Sequence, residues 1–392
     1  MSFSSLGITS SLLTALGAQG LTSPTPIQQE AIPAALKGRD ILGVARTGSG
    51  KTASYVLPIL ERLPKSEATR YREPAVLILV PTRELALQVH GVFEDFLPAI
   101  QNSLRCLAVH GGVSINPQMK AIGKADIIVC TPGRLIDLVE KNAVKLSSIT
   151  TLVLDEADKM LNLGFKLEVD RILSLLPKKR QTLLFSATLN PDLDTVQQEL
   201  LNDPLVIKIS EDTLPTGQGE DHGHDEPVEL INQLGYFVPD EKKGPLLRYL
   251  INQGDLQQVL VFASSIRMVD TITNKLSKNN IDAAAVHSKI SQQYRQENLR
   301  LFKSGKLRVL VTTDLLARGI DIDFLPCVIN YELPRSPKDY IHRIGRTGRA
   351  GSPGDAISLI SPDEMHHFRV IQKKMGKRVK MLESEDLNLH GH

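Results

Sequence analysis

The sequence predicts an α/β protein of two tandem domains, each a mostly parallel sheet covered by helices on both faces. Three observations predict it. Short apolar runs recur and alternate with stretches of helical spacing, as strands buried on both faces and joined by crossover helices would require. The pattern stops once, near residue 210, and then restarts. A chain of 392 residues also exceeds one ordinary core and suits two.

The first domain's strands are read at "DILGVA" (40–45), "AVLILVP" (75–81), "LRCLAVHG" (104–111), "ADIIVCTP" (125–132), "TTLVLDE" (150–156) and "QTLLFSAT" (181–188). Helical stretches such as "TRELALQVHGVFEDFL" (82–97) lie between them. "SEDTLPTGQGEDHGHDEPVE" (210–229) is acidic, rich in Gly and Pro and free of Lys and Arg, so it reads as a flexible linker. Strands resume at "QVLVFAS" (258–264), "DAAAVHS" (282–288), "LRVLVTTD" (307–314), "CVINYELP" (327–334) and "GDAISLIS" (354–361). The expected division is residues 1–209, a linker 210–233, a second domain 234–381 and a short tail 382–392. The halves share no sequence repeat, so equivalence of their folds rests on pattern alone.

Composition narrows the class. With 42% apolar and 23% charged residues the chain fits a soluble globular protein rather than a disordered one. A net charge of only +2 means that any nucleic-acid binding must use a local basic surface. Cys106, Cys130 and Cys327 are scattered and form no CxxC, which argues against disulfides or zinc and for a reducing, cytoplasmic setting. The first cation is Lys37, so the amino-terminal apolar stretch lacks the charged start of a signal peptide. No apolar run approaches the ~20 residues of a membrane span.

"VARTGSGKT" (44–52) follows the first strand and opens a helical stretch. Gly48 and Gly50 would let successive backbone N–H groups face phosphate oxygens. Lys51 would reach the outer phosphates, and the Thr52 hydroxyl would ligate Mg²⁺. The general pattern begins with Gly where this chain has Ala45. "TLVLDEADKML" (151–161) then runs an apolar strand into Asp155, Glu156 and Asp158, costly groups to bury without a partner. A Mg²⁺–nucleotide on the phosphate loop would supply one, with Asp155 holding the metal through water and Glu156 polarising the attacking water. A helix N-cap cluster is the alternative reading of these acids.

Taken in order, these and other motifs resemble those of the DEAD-box RNA helicases, from about Phe3 to about Ser361. The chain carries "PTPIQ" (24–28), "ARTGSGKT" (45–52), "PTRELA" (81–86), "GG" (111–112), "TPGR" (131–134), "DEAD" (155–158) and "SAT" (186–188). "VFASS" (261–265), "QQYR" (292–295), "TTDLLARGID" (312–321) and "HRIGRTGR" (342–349) follow. The resemblance implies two RecA-like domains, ATP and Mg²⁺ as cofactors, and RNA, single-stranded or in short duplexes, as partner. It implies that Gln28 reads adenine, that Thr47, Gly48, Ser49, Gly50, Lys51 and Thr52 hold the phosphates, and that Gly319 and Asp321 contact ribose and phosphate. Phe3 would stack on the base or plug the terminus.

Arg346 and Arg349 are three apart and so on one face if helical, and the resemblance implies that they reach the γ-phosphate as arginine fingers from the second domain. Pro81, Thr82, Arg83, Gly112, Thr131, Pro132, Gly133, Arg134, Ser264 and Thr313 would hold the RNA sugar-phosphate with little base reading. Ser186, Thr188 and His342 would couple the two sites, while Gln292 and Arg295 could simply brace the second domain. Arg46 stands where Gln is frequent in the family. His222 and His224 beside Asp221 and Asp225 could bind a metal or form a solvated acidic loop.

The expected activity is local, poorly processive unwinding with hydrolysis releasing RNA. An ATP-gated RNA clamp and a DNA translocase are the rivals. The compact length and short tail fit a bacterial-type monomer. Protein partners in an RNA-processing complex are open, as is an RNA contact by the basic run "HHFRVIQKKMGKRVK" (366–380).

Overall fold

Four consecutive apolar residues form the usual strand here because each successive side chain meets a different apolar layer. A computed structural model of the chain describes residues 2–45, 48–63, 73–100, 104–162, 164–188, 191–209, 231–254, 256–314, 325–348 and 354–389. It divides into two units, Met1–Gln218 and Gly219–His392.

In the first unit the described strands are β1 (Ile41–Val44), β2 (Val76–Leu79), β3 (Cys106–Val109), β4 (Ile127–Cys130), β5 (Thr151–Leu154), β6 (Gln181–Ser186) and β7 (Leu205–Lys208). They pair in parallel in the order β3-β4-β2-β5-β6-β1-β7. Ile78, Val129 and Val153 face one helical layer containing Leu12, Ile27, Val56 and Phe93. Their neighbours Leu77, Ile128 and Leu152 face the other, containing Leu135, Leu138 and Ile172. Both faces are therefore sealed, and only the strand ends are left for function.

The second unit contains β8 (Ile231–Phe237), β9 (Val259–Phe262), β10 (Ala283–Val286), β11 (Val309–Thr312), β12 (Cys327–Asn330), β13 (Gly354–Ile360) and β14 (Lys380–Glu383). Its order, β10-β11-β9-β12-β13-β8-β14, repeats the first sheet strand for strand, again in parallel. Two halves without a shared sequence repeat thus share one topology. The resemblance to tandem RecA-like domains holds at this level.

Three strands escape the sequence reading, and all lie toward the β1/β8 side of a sheet. β7 is an edge strand whose apolar run, 205–207, is short and leaves Val206 44% exposed. β8 alternates buried and more exposed residues, and β14 carries charged residues at both ends. β8 begins at Ile231, inside the stretch 210–233 assigned to the linker. Beyond β14, Leu387 and Leu389 pack on the second core, so 382–389 is not a loose tail. Residues 210–230, including the His222–Asp225 cluster, lie outside the described residues.

Candidate functional site

In the first unit every strand points the same way, so the loops following them emerge on one edge of the sheet. β6 lies between β1 and β5, which brings the loop after β1 and the acids after β5 to neighbouring positions. Gly50 caps the helix Lys51–Arg62 with φ +89°, in the left-handed region that glycine enters without penalty. A Cβ there would meet Gln28 Nε2 at 2.4 Å. Gln28 Nε2 donates to the Gly50 carbonyl at 3.1 Å and its Oε1 accepts the Thr25 N–H at 3.0 Å. The amide is only 3% exposed and retains one N–H and one lone pair for a further partner. Gln28 is thus part of the phosphate loop's own scaffold.

Lys51 is buried, and its ammonium donates to the Ala45 carbonyl and, at 3.4 Å, to that of Ser186. Burial lowers its pKa, while the charges of Asp155, Glu156 and Asp158 push the other way. Asp155 and Glu156 are both raised by burial; Lys51 opposes this most at Asp155, and Lys159 at Glu156. Asp155 Oδ2 accepts the Tyr55 hydroxyl at 2.8 Å, and Oδ1 accepts the Glu156 N–H at 2.9 Å. Glu156 has φ +51°, a turn that costs a non-glycine residue about 1–3 kcal/mol. It lets two consecutive carboxylates face the lysine. Lys159 Nζ holds Glu156 Oε1 at 2.7 Å.

Thr188 Oγ1 donates to Asp158 Oδ2 at 2.9 Å, and Ser186 Oγ donates to the Thr188 carbonyl at 2.7 Å. Lys51, the Ser186–Thr188 turn and Asp158 are therefore joined by hydrogen bonds, with Asp155 and Glu156 coupled to Lys51 by charge.

A nucleotide with Mg²⁺ fits the residues present. Ser49 Oγ, Glu156 Oε2 and Asp158 Oδ1 are buried without a hydrogen-bond partner among the described residues. Among the described residues no group of three His, Cys, Asp or Glu side chains forms a metal cage. Mg²⁺ keeps its waters and takes one or two protein ligands beside phosphate oxygens. Thr47 lies outside the described residues; Gly48 has φ +82° and Thr52 sits half-buried in the first helical turn.

The candidate RNA residues emerge from β2, β3 and β4, adjacent in the sheet and next to the nucleotide cluster because β2 also pairs with β5. Pro81 is buried, and Thr82 caps the following helix by accepting the Leu85 N–H at 3.2 Å. Arg83 lies across the glycine pair: a Cβ on Gly112, φ +80°, would sit 2.0 Å from Arg83 Nη1. Arg134 Nη2 donates to the Val113 carbonyl at 2.9 Å, while its Nη1 is buried without a hydrogen-bond partner. Thr131 precedes Pro132 at a helix start without spending its hydroxyl on the cap. Gly133 has open space where its Cβ would be. His110 bonds the Gly111 carbonyl at 3.0 Å, and burial lowers its pKa.

In the second unit Ser264 gives its N–H and hydroxyl to Glu332 Oε2, at 2.7 and 2.6 Å. Thr313, half-buried, follows β11, and His342 lies in the last turn of the helix Pro337–Ile344. Arg346 is buried but is not on that helix. The helix ends at Gly345, whose N–H bonds the Ile341 carbonyl, and Thr347 then pairs with Leu325. The expectation that Arg346 and Arg349 project from one helical face is thereby corrected for Arg346. Arg349, Gly319 and Asp321 lie outside the described residues. Gln292 accepts from Arg295, and both are buried, consistent with a bracing role.

Phe3 is 4% exposed, packed within the core that includes Leu6, Ile8 and Leu12. Three residues were missed. Tyr55 stands one turn after Lys51, so helical spacing could have flagged it. Lys159 stands one turn after Glu156 in the same way. Arg343, 2% exposed, bonds Asp314 with Nη2–Oδ2 at 2.8 Å and reaches Asn330 and Glu332; its sequence looks like that of its arginine neighbours.

Residues 25–196 match the DEAD/DEAH box helicase model, and residues 242–351 match the helicase conserved C-terminal domain. The chain belongs to the DEAD-box helicase family. It is 40% identical over 379 residues to the ATP-dependent rRNA helicase rrp3 of Botryotinia fuckeliana, covering 96% of this chain and 74% of that protein. It is 39% identical over 383 residues to the DEAD-box ATP-dependent RNA helicase CshA of Streptococcus pneumoniae, covering 97% and 70%. A structure of S. cerevisiae Dbp5 bound to RNA and ADP BeF3 matches with a TM-score of 0.81 at 29% identity, covering 98% and 96%. This DEAD-box helicase is accordingly an ATP-hydrolysing enzyme, built on two RecA-like domains.

Proposed function

We infer that this DEAD-box ATP-dependent RNA helicase binds RNA through its sugar-phosphate backbone, opens short duplexes locally and uses ATP hydrolysis to let the RNA go. The observation that carries the reading is the adjacency of two clusters on one sheet edge. Lys51 lies within the charges of Asp155, Glu156 and Asp158, Asp158 accepts from Thr188, and Arg83, Gly112 and Arg134 follow the neighbouring strands. The second cluster offers guanidinium groups and close backbone, which grip phosphate, and few groups suited to base edges.

Lys51 and the loop N–H groups bind the phosphates, Gln28 orients adenine, and Phe3 closes the core beside it. Thr52 and Asp155 would hold Mg²⁺, which when bound neutralises phosphate charge. Glu156, its pKa raised by burial, takes a proton from the attacking water at Oε2, the oxygen left without a partner. Arg346 and Arg349 supply positive charge to the transferred phosphate, and Ser186, Thr188 and His342 couple it to RNA. Thr82, Thr131, Ser264 and Thr313 add hydroxyl contacts to the RNA path. The enzyme works as a monomer in a reducing cytoplasm, in keeping with three buried thiols.

Steady-state ATP hydrolysis with and without single-stranded RNA, beside Glu156→Gln, tests the reading. Strong stimulation by RNA that the variant lacks is expected, with DNA of equal sequence stimulating far less. Hydrolysis indifferent to RNA would overturn it. Stable RNA retention on a non-hydrolysable ATP analogue with negligible strand release would favour a clamp over an unwinding enzyme.

A further inference from the structure

The helix Met365–Met375 and the strand after it carry a cationic face that neither cluster above uses. The helix buries Phe368, Ile371 and Met375 and leaves His366, Arg369, Lys373 and Lys374 exposed. Arg369 and Lys373 are one turn apart, about 6 Å along the axis, on the same side as His366. Arg378 and Lys380 continue the exposed charge into β14. No acid occurs from Met365 to Leu382, and six of the chain's 46 Lys and Arg fall within 369–380. Against 44 acidic residues, that leaves the remainder of the chain net acidic.

The acid just before the helix does not neutralise this face. Glu364 points its carboxylate inward, to Lys243 Nζ at 2.6 Å and to the Ser361 N–H and hydroxyl, both at 3.1 Å. The helix is also held in place: His367 Nε2 bonds the Pro334 carbonyl at 2.8 Å, next to exposed Arg335. The face is thus a fixed array of cations rather than a loose tail. Val370 is its one exposed large apolar side chain, too little for a membrane surface to bury.

We propose that this face docks the phosphate backbone of RNA flanking the segment gripped by the motifs, lengthening the RNA footprint on the second unit without reading sequence. The proposal rests on the RNA-binding reading above. Repeated cations one helical turn apart, with no acid among them and no base-reading amide on the stripe, suit a regular polyanion.

The test compares the full chain with the triple variant Arg369→Gln/Lys373→Gln/Lys374→Gln. Binding is measured across a salt series to a short RNA that fills only the motif path and to a longer one with single-stranded flanks. The longer RNA should bind wild type more tightly than the short one, and the variant should lose that advantage. Its salt slope for the long RNA should be shallower by about 2, from ~0.7 per phosphate contact on single strands. Short-RNA affinity, RNA-free ATPase and the thermal midpoint should stay unchanged.

An unchanged slope and affinity for the long RNA would overturn the proposal. So would an equal loss on polyglutamate with no dependence on RNA length, which would assign the face to an acidic protein. Failure of wild type to bind even the short RNA would instead sink the RNA-binding reading itself.

Discussion

Replacing Tyr55 by Phe removes one oxygen from the centre of the candidate nucleotide site and little else. The phenol is fully buried and donates to Asp155 Oδ2 at 2.8 Å. Its ring packs on Phe185 with centroids 5.4 Å apart, a contact that Phe preserves. Burial and the Asp155 charge raise the phenol's pKa well above its ordinary value, so it stays a donor. A hydrogen bond to a charged acceptor contributes roughly 1.5–3 kcal/mol, so a loss of about 2 kcal/mol is expected in the first unit at neutral pH.

The sign with pH follows from linkage. The Asp155 carboxyl is already raised by burial above 3.8, so its contribution to stability is fully present below that value and is lost as pH rises toward its folded value. Without the Tyr55 donor that folded value moves higher. The variant therefore loses more with rising pH, and the two proteins converge in acid.

The chain has no Trp and two units, so a single optical transition would mix signals. Amide exchange of β5 and β6 isolates the effect. Protection there should fall about 30-fold at neutral pH, as ~1.4 kcal/mol is tenfold, with β9 and β11 unchanged. A change under about 0.5 kcal/mol, or an equal loss at both ends of the pH range, would refute the argument, since an ordinary buried hydrogen bond contributes at least that much.

Three other outcomes are expected. Gly112→Ala should displace Arg83, whose Nη1 a Cβ would approach to 2.0 Å, and weaken RNA binding about tenfold or more, the loss of one charge-assisted bond, with ATP affinity kept; equilibrium binding of both ligands checks it. Arg343→Met should destabilise the second unit by about 3–5 kcal/mol by leaving the Asp314 charge unpaired, seen as lost amide protection in β9, β11 and β12 but not in β1 to β6. At Glu364, burial alone would raise the carboxyl, but the Lys243 bond and charge outweigh it and hold it below 4.5. That stability is present above pH 4.5 and lost as pH falls through the folded value. Glu364→Gln should flatten this acid-side loss of second-unit protection.

How much was legible without coordinates depended on where a residue sits in its sheet. Eleven strands were read from apolar runs, since a strand covered on both faces needs apolar side chains at every position. β7, β8 and β14 were not, because edge or mixed exposure lets polar residues in and breaks the run. The gathering of Lys51, Asp155 and Glu156 was also legible, since a glycine-flanked lysine and paired carboxylates stand out at fixed spacing.

What the sequence by itself determined was the class of fold and the identity and order of the motifs. The tertiary structure decided which of those motifs meet. Strand order places β6 between β1 and β5 and β2 beside β5, and no local pattern encodes that order. It also separated residues of similar appearance. Arg343 is spent on Asp314, Arg346 lies past the end of its helix, and Phe3 is sealed in the core. Propensity and spacing are local properties, whereas burial and pairing depend on neighbours brought from distant parts of the chain.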